Sequence, residues 1–326
     1  METTKTRNHC FDFLKGIACI FVVFMHCEFP GDLGILVQCI SRFSVPFFFM
    51  ISGYFCYRTD GATDYLKKIK HIGVIILGAV ILYLIVTPIY KSECSITLQD
   101  LVKWLFFNVP PYIAAQLWFL FALLYDYILF ALVERFKLRK LAYIAIPIGI
   151  AAYILLAQGA LLLGFSILNL VYRNFLIEGF PLFALGFWIH EHQEHIKISN
   201  KALLLIVLIT TALCPLERWL IGRDFGVNIV TFPQVTALFL LGVQNPGFGG
   251  GKRLTRLGAV YSMYVYILHP AVFRLLKKLY ELVHIDQNMP ALYLLPILCV
   301  ILTLLGAVAF NYLNKKIRIK RRSSQK

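Results

Sequence analysis

Three ionisable side chains interrupt an apolar stretch near the amino terminus. The segment DFLKGIACIFVVFMHC, residues 12–27, contains Asp12, Lys15 and His26. A helix turns about 100° and rises about 1.5 Å per residue, so Lys15 and His26 return to nearly the same face about 16 Å apart. Asp12 joins that face one turn earlier. Histidine exchanges protons near neutral pH, so His26 is suited to general acid–base catalysis, with the acid and the cation further along the same face.

The composition of the chain predicts the elements that must position this face. The 326 residues are 59% hydrophobic and only 15% charged, and the mean hydropathy of +0.73 exceeds that of soluble domains. A bilayer core of about 30 Å needs roughly 20 apolar residues per helix. We therefore predict an all-α, polytopic integral membrane protein, with one domain over residues 1–326 and a basic tail at 314–326. Ten spans are predicted, at 11–29, 43–57, 71–90, 114–133, 141–157, 174–190, 202–220, 227–244, 257–277 and 291–313.

The distribution of basic residues predicts the orientation of these spans. Most of the 32 Lys and Arg residues fall in the connections and the tail that are cytoplasmic if the amino terminus is inside, and cytoplasmic loops carry such an excess. Both termini are thus predicted to face the cytoplasm. The same topology accounts for the net charge of +15, so this charge does not indicate a nucleic-acid partner.

The polar face of the first span is costly in lipid. A charge at the bilayer centre costs about 2.5 to 3.5 kcal/mol on insertion scales, so such residues face a protein interior or a wet cavity. We expect an inward stripe of Asp12, Lys15, Cys19, Val22 and His26. A plainer interpretation pairs Asp12 with Lys15 at the cytoplasmic interface and leaves His26 as a cap at the outer end.

Five segments resemble, in the same order, those of the membrane-bound acyltransferase-3 family. In residues 12–27 the family has an Arg, ten residues and a His; Lys15 occupies the Arg position and His26 the His position. The other segments are SRFSVPFFFMISGYF (41–55), QLWFLFALLYDYILF (116–130), EGFPLFALGFWI (178–189) and LGAVYSMYVYILHP (257–270). The resemblance covers nearly the whole chain.

This resemblance implies acyl transfer across a membrane. Members of the family take an acetyl or another short acyl group from cytoplasmic acyl-coenzyme A. They place it on a hydroxyl of a cell-envelope glycan or a similar acceptor on the far side. The resemblance therefore implies a multi-pass protein of the bacterial cytoplasmic membrane that contacts lipid, with acetyl-coenzyme A as donor substrate, an O-acetylated envelope polysaccharide as product, no metal and no nucleic acid.

His26 is the candidate catalytic group for this reaction. A thioester is already activated, so the enzyme needs a base for the acceptor alcohol. His26 either deprotonates the acceptor directly or carries the acyl group as a transient acyl-imidazole. Lys15 keeps the positive charge of the family's Arg but lacks its planar fork, and Asp12 either orients or neutralises this cation.

Five further residues are candidates for substrate binding. Arg42, at the outer start of the second predicted span, binds an anionic acceptor or a developing oxyanion, or is a snorkelling interfacial Arg. Arg173 and Glu178 lie near the outer end of the sixth span and either contact the acceptor or form a local ion pair. Asp126 lies about two turns above the predicted cytoplasmic face, at a depth where it meets Lys15, or is an isolated interfacial acid. His269 is a site residue or a structural histidine at a proline kink.

Other polar residues are given structural interpretations. Ser52 lacks a G-x-S-x-G elbow, and we assign it to helix packing. The run HEHQEH, residues 190–195, matches no zinc-binding spacing and is interpreted as a solvated polar turn. The cysteines show no C-x-x-C spacing, so neither a disulfide framework nor a metal site is predicted.

Two segments have unusual lengths. The second predicted span, 43–57, is short, so we expect it to be broken or continued by non-helical backbone that lines a cavity. The outer connection SITLQDLVKWLFFNVPPY, residues 95–112, predicts a short amphipathic helix on the outer surface that ends at Pro110 and Pro111. This helix either roofs a site or anchors the interface through Trp104.

Two other functions remain open from the sequence. Some membrane domains that resemble this family are associated with amino-acid supply, and a polar intramembrane stripe also suits a small-solute transporter. A second alternative is an acyl-delivery subunit that serves a separate extracytoplasmic acyltransferase.

Overall fold

The structure, a computed structural model, describes residues 7–59, 63–90, 97–110, 116–222 and 226–323. Over these ranges the chain forms helices and turns and no β-strand, so the all-α prediction is confirmed. The α-helices are α1 (His9–His26), α2 (Gly31–Ser41), α3 (Ser44–Tyr54), α4 (Tyr65–Tyr90), α5 (Leu98–Phe107), α6 (Trp118–Arg135), α7 (Arg139–Ile154), α8 (Ala160–Leu162), α9 (Asn169–Tyr172), α10 (Phe180–His192), α11 (Asn200–Ile221), α12 (Thr231–Gln244), α13 (Arg253–Arg256), α14 (Ser262–Leu282) and α15 (Met289–Ser323). Single π-helical turns occupy Leu155–Gly159, Phe175–Gly179 and Leu257–Tyr261.

Seven described segments are long and apolar enough to cross a membrane, which confirms a multi-pass membrane fold. Three predicted spans fall on helices outside this set: α12 has only 14 residues, α6 contains two acids and an arginine, and α10 ends in the polar residues His190, Glu191 and His192. The number ten and the cytoplasmic termini therefore stay predictions. The seven segments are His9–His26, Gly31–Tyr54, Tyr65–Ile89, Arg139–Leu162, Asn200–Ile221, Arg253–Leu282 and Met289–Lys316.

The second span begins earlier than the sequence indicated. Its segment, Gly31–Tyr54, has 24 residues and consists of α2 and α3. The predicted start at residue 43 was wrong because polar residues in α2 lower the local hydropathy, yet Gln38 and Ser41 are buried and donate hydrogen bonds to backbone carbonyls. The span is broken, as one of the two expectations had it, at Arg42 and Phe43 between the two helices, and helix α2 stands in place of a non-helical continuation. Arg42 therefore lies within the span rather than at its outer start.

The chain divides into two compact units. Unit 1 comprises Met1–Ser41 and Gly242–Lys326, and unit 2 comprises Arg42–Leu241. Within unit 1, α1 packs against α2, α13, α14 and the π-helical turn that precedes α14, and α15 packs against α14. The two ends of the chain thus build one unit around α1. The assignment of residues 1–326 to a single domain stays a prediction, and the last three tail residues lie outside the described ranges.

Helix α1 begins at a well-defined cap. The side-chain oxygen of Asn8 accepts a hydrogen bond from the backbone N–H of Phe11, which is otherwise unpaired at a helix start. The side-chain nitrogen of Asn8 donates to the carbonyl of Gly242 at 2.8 Å. This cap fixes where α1 begins and therefore which residues share the face of Asp12.

Within unit 2, α3 packs along α10. The ring of His190 stacks on Tyr54 at 4.1 Å, and its Nδ1 lies 2.6 Å from the Tyr54 carbonyl oxygen. Glu191 accepts a hydrogen bond from Arg139 at 3.1 Å. The interpretation of residues 190–195 as a solvated turn was therefore wrong for its first residues, because α10 continues to His192. Ser52 donates to the carbonyl of Phe48 at 2.8 Å.

The predicted amphipathic helix of the outer connection is present as α5. Thr97 and Asp100 form a capping box at its start, and the Thr97 hydrogen bonds lower the pKa of Asp100. The helix ends at Phe107 because Asn108 adopts a left-handed conformation with φ 47°. Termination therefore precedes Pro110, and Pro111 lies outside the described residues. The Trp104 ring packs on Phe121 with centroids 4.9 Å apart.

Candidate functional site

The carboxylate of Asp12 joins two cations at the start of α1. Its Oδ1 lies 2.6 Å from Lys15 Nζ, and its Oδ2 accepts a hydrogen bond from Arg7 Nε at 2.5 Å. The Asp12 side chain is 6% exposed, that of Lys15 is 19% exposed and that of Arg7 is 55% exposed. The sequence predicted the contact between Asp12 and Lys15. It did not predict Arg7, because Arg7 precedes the helix and helical spacing does not apply to it.

A close backbone contact fixes the position of this ion network. The π-helical turn Leu257–Tyr261 lies directly against α1. A Cβ atom on Gly258 would stand 2.0 Å from the carbonyl oxygen of Asp12 and 2.9 Å from Cβ of Lys15. Only glycine permits this approach, so Gly258 holds the turn against the residues that carry the charges. Such π-helical turns occur often at functional sites.

The remainder of the predicted stripe is buried along α1. Cys19 and Val22 are each 2% exposed, and His26, the last residue of the helix, is half-buried. The Cys19 thiol donates to the carbonyl of Gly16 at 3.4 Å, so it is satisfied within the helix. The inward orientation of the stripe agrees with these burial values.

His26 lies beside the second candidate histidine. The imidazole rings of His26 and His269 have centroids 5.1 Å apart and planes inclined by 36°. His269 is fully buried in α14, directly before the proline in that helix. The sequence left open whether His269 is a site residue or a structural one, and the structure brings it against His26.

The hydrogen bonding of His269 identifies its tautomer. Its Nδ1 lies 3.0 Å from the carbonyl oxygen of Val265. A carbonyl only accepts, so Nδ1 must carry the proton, and in the neutral ring Nε2 then presents a lone pair. Among the described residues Nε2 has no hydrogen-bond partner. A buried basic nitrogen in this state is available to accept a proton from a bound molecule.

Two buried cysteines lie beside this histidine pair. The thiols of Cys27 and Cys299 are hydrogen-bonded to each other, and both residues are fully buried. The Cys299 sulfur also lies 3.9 Å from the carbonyl oxygen of His269. Helix α15 therefore closes the side of unit 1 behind the two rings.

A second polar cluster lies in unit 2. Glu178, 3% exposed, interacts electrostatically with Arg173 and Arg42. The Glu178 Oε2 atom has no hydrogen-bond partner among the described residues. The guanidinium of Arg173 stands 4.6 Å from the ring centroid of Trp118, in a cation–π contact that the sequence did not predict. The structure thus brings three predicted substrate-binding residues together.

Two asparagines that the sequence did not single out position Glu178. The Asn174 side-chain oxygen accepts hydrogen bonds from the N–H groups of Leu176 and Ile177, at 2.9 and 3.0 Å. The Asn108 side-chain oxygen accepts from the N–H of Phe175 at 2.9 Å. These bonds start the π-helical turn that carries Glu178. The available signal was an asparagine in each of two apolar contexts, FFNVPP and YRNFL.

Asp126 lies next to the same turn. It is fully buried, and neither carboxylate oxygen has a hydrogen-bond partner among the described residues. A Cβ atom on Gly179 would stand 2.7 Å from its Oδ2. Its carboxylate therefore faces the backbone of the residue after Glu178.

A cavity of about 920 Å³ lies in unit 2, and both acidic and basic residues line it. Arg139 makes two hydrogen bonds of 2.6 Å to Glu134 and a third of 3.1 Å to Glu191. Its guanidinium charge is thereby matched by carboxylates of the protein. No group of three or more His, Cys, Asp or Glu residues arranged for a metal occurs in the described part of the chain.

Comparison with known proteins assigns the chain to a family. The family model for the acyltransferase-3 group, described as an acyltransferase domain, matches residues 8–312. The chain matches no curated protein and no solved structure. The matched region contains both polar clusters except Arg7, and it extends over nearly the whole chain, as the five resembling segments predicted. The chain belongs to the acyltransferase-3 family and is a membrane acyltransferase.

Proposed function

We propose that the chain is an O-acetyltransferase that moves an acetyl group from acetyl-coenzyme A to a hydroxyl of a cell-envelope glycan or a similar extracytoplasmic acceptor. The bacterial cytoplasmic membrane is its proposed location. The observation that supports the proposal most is the contact of His26 with His269, in which His269 Nε2 is buried and has no partner among the described residues. An unpaired basic nitrogen beside a second imidazole is what deprotonation of an alcohol requires.

The chemical step can follow two routes. In direct transfer, the acceptor oxygen bonds to the acetyl carbon as its proton passes to an imidazole nitrogen, the C–S bond breaks, and the thiol leaves with a proton returned from that imidazole. In a relay, an imidazole nitrogen first bonds to the acetyl carbon as the C–S bond breaks, and the sulfur leaves as the thiol with the imidazole's N–H proton. The acceptor oxygen then bonds to the acetyl carbon, the C–N bond breaks, and the hydroxyl proton passes to the imidazole. His26 is the proposed base or acyl carrier in both routes. His269 either orients the His26 ring or accepts, at Nε2, the proton that His26 takes from the acceptor.

The ions at the start of α1 have a supporting role in this proposal. Asp12 holds Lys15 Nζ at 2.6 Å, so the ammonium has a fixed position rather than a mobile one. A lysine provides a point charge in place of the family's planar guanidinium. We assign Lys15 to the anionic part of the donor, with Asp12 and Arg7 as the residues that position it.

The cluster in unit 2 is the proposed acceptor site. Glu178 Oε2 accepts a hydrogen bond from a hydroxyl group of the acceptor, and Arg42 and Arg173 contact an anionic or polar substituent. The Trp118 ring under Arg173 adds a flat apolar surface of the kind that packs against sugar rings. Asp126, whose carboxylate lies against Gly179, is a further polar group beside this site.

The experiment that tests the function is acetyl-coenzyme A turnover by the purified protein. Free thiol release and transfer of labelled acetyl groups to envelope glycans are measured for wild type and for His26→Ala. His71→Ala is the matched control, because His71 is an exposed histidine of α4. Loss of both signals in His26→Ala, with normal turnover in His71→Ala, is the expected result. Full activity in a well-folded His26→Ala protein would overturn the role of His26.

The same preparation separates the two alternatives. A transporter takes a labelled amino acid into vesicles without consuming acetyl-coenzyme A. An acyl-delivery subunit retains label on the chain and transfers none to any glycan until an extracytoplasmic enzyme is added. Either result would replace the proposed O-acetyltransferase activity.

A further inference from the structure

The loop between α12 and α13 contains four closely spaced glycines followed by basic residues. Its sequence from Gln244 to Arg256 is QNPGFGGGKRLTR. Gly249 and Gly251 have φ values of +82° and +74°, a left-handed conformation that favours glycine. A glycine-rich loop with basic residues directly after it is a common way to surround an anion.

Contacts with α1 hold this loop in place. The carbonyl oxygen of Pro246 accepts hydrogen bonds from the N–H groups of His9 and Cys10, at 2.7 and 3.3 Å. The Lys252 ammonium lies 4.5 Å from the ring centroid of Phe248 and 5.4 Å from that of Phe13. The loop is therefore built onto the start of α1, and Lys252 has a defined place beside it.

A cavity of about 290 Å³ opens between this loop and the start of α1. Every ionisable side chain that lines it is basic: Arg7, His9, Lys252 and Arg256. No carboxylate lines the cavity among the described residues, in contrast to the larger cavity, where Glu134 and Glu191 pair with Arg139. Arg7 already pairs with Asp12. The lining still holds Lys252 and Arg256 and no acid, and a small cavity of this kind favours a multiply charged anion.

Side chains rather than helix termini must supply this attraction. The first N–H groups of α1 are already occupied by Pro246 and Asn8, so they are not available to an anion. Helix α13 has only four residues and carries little dipole. The cations Lys252 and Arg256 are both exposed and can reorient around a ligand.

The cavity also adjoins the charged face of α1. Ala259 and Val260 line it, and they directly follow Gly258, which touches the backbone of Asp12. From Lys15, α1 runs about 16 Å to His26 at a rise of about 1.5 Å per residue. An extended pantetheine arm has a length of this order, so a ligand with its phosphates in the cavity could direct a thioester towards His26.

We propose that this cavity, the basic cavity of Arg7, His9, Lys252 and Arg256, binds the phosphate groups of the nucleotide part of the acyl-coenzyme A donor. The inference rests on the proposed function for the identity of the ligand. The cavity would recognise a phosphate group. Either acyl-coenzyme A or the headgroup of an anionic lipid could provide that phosphate.

The test is binding of adenosine 3′,5′-bisphosphate, which has no acetyl group and needs no turnover. Affinity is measured by calorimetry on the detergent-purified full chain. We expect Lys252→Gln combined with Arg256→Gln to weaken binding about 100-fold, because each of the two lost charge-assisted contacts costs on the order of one tenfold step. Arg253→Gln is the matched control, since Arg253 lies on α13 but does not line the cavity. Equal affinity of wild type and double variant would overturn the proposal.

Two further measurements distinguish a nucleotide from a lipid headgroup as the ligand, and failure of the cavity proposal from failure of the acetyltransferase proposal. In nanodiscs, retention of phosphatidylglycerol over phosphatidylcholine is compared for wild type and double variant; loss of lipid selectivity with unchanged nucleotide affinity would assign the cavity to a headgroup and overturn the donor site. If the nucleotide binds as expected but no acetyl group is transferred, the cavity stands and the acetyltransferase proposal fails. If acetyl transfer by the double variant keeps a wild-type KM for acetyl-coenzyme A, the function stands and the cavity proposal fails.

Discussion

The imidazole rings of His26 and His269 lie 5.1 Å apart although the two residues come from the first and the penultimate long helices of the chain. Unit 1 brings these ends together, because it is composed of the amino-terminal and the carboxy-terminal parts of the sequence. His269 is fixed by the Val265 carbonyl, whereas His26 ends its helix. Substitution of either ring should therefore affect the same chemical step.

Replacement of His269 by asparagine separates its catalytic role from its structural role. An asparagine amide N–H can still donate to the Val265 carbonyl, but it provides no basic atom at the position of Nε2. We expect His269→Asn to fold and to lose about 100-fold or more in kcat, because a positioned base contributes about 10²–10⁴-fold. Turnover and thermal unfolding measure the two properties. Wild-type turnover in a stable His269→Asn protein would assign His269 to structure alone.

Charge and shape at position 15 can be tested separately. Lys15→Arg keeps the positive charge near Asp12 and restores the family's residue, so we expect activity close to that of wild type. Lys15→Met keeps the length and removes the charge, and it should lower kcat/KM about tenfold or more, since a hydrogen bond to a charged group contributes about 1.5–3 kcal/mol. The Lys15→Met variant with unchanged kcat/KM would contradict a role for the ammonium.

The sequence was sufficient to predict which side chains share a face of one helix, because this depends only on the helical period. The spacing of Asp12, Lys15 and His26 placed them on one face, and the structure buries that face and pairs the first two side chains. The resemblance of segment 257–270 added His269 as a candidate, but its contact with His26 depends on tertiary structure. Helical period describes one helix and does not predict which helices meet.

Other features could not be read from the sequence for physical reasons. Arg42 was placed at an outer boundary because the hydropathy of α2 is lowered by polar residues that are in fact buried and hydrogen-bonded. Arg7, Asn108 and Asn174 act outside helices or at their starts, where side-chain geometry is set by local turns. Their roles became visible only from hydrogen bonds.

The π-helical turn Leu257–Tyr261 lies so close to α1 that adding one methyl group at Gly258 should strongly destabilise the protein. A Cβ atom on Gly258 would meet the Asp12 carbonyl oxygen at 2.0 Å, and both groups are backbone. We expect Gly258→Ala to destabilise the protein by about 1–3 kcal/mol or more, as overpacking does, and to reduce acetyl transfer by displacing Asp12. Gly78→Ala is the control, because no atom lies within 4 Å of its Cβ position. Equal melting temperatures of the two variants would show that the contact relaxes freely.

Neutralisation of Glu178 tests the proposed acceptor site. Glutamine has the same size but lacks the negative charge between Arg42 and Arg173. We expect Glu178→Gln to raise KM for the acceptor about tenfold, the value of one charge-assisted hydrogen bond, and to leave KM for acetyl-coenzyme A unchanged. Glu194→Gln, at an exposed position after α10, is the control. A change confined to the donor KM would move Glu178 out of the acceptor site.

Asn174 provides a test of how the acceptor cluster is positioned, because it touches the backbone of the turn rather than any substrate. Its side-chain oxygen accepts from Leu176 and Ile177, and its nitrogen donates to the carbonyls of Leu170 and Val171, at 3.0 and 2.8 Å. Asn174→Ala removes all four bonds, and loss of such a cap costs about 0.5–2 kcal/mol. Asn174→Ser keeps a side-chain oxygen that can accept at a helix start, and should retain more stability and a lower acceptor KM than Asn174→Ala. If both variants showed the same acceptor KM as wild type, Glu178 would not depend on the turn for its position, and the acceptor site would have to be sought elsewhere in unit 2.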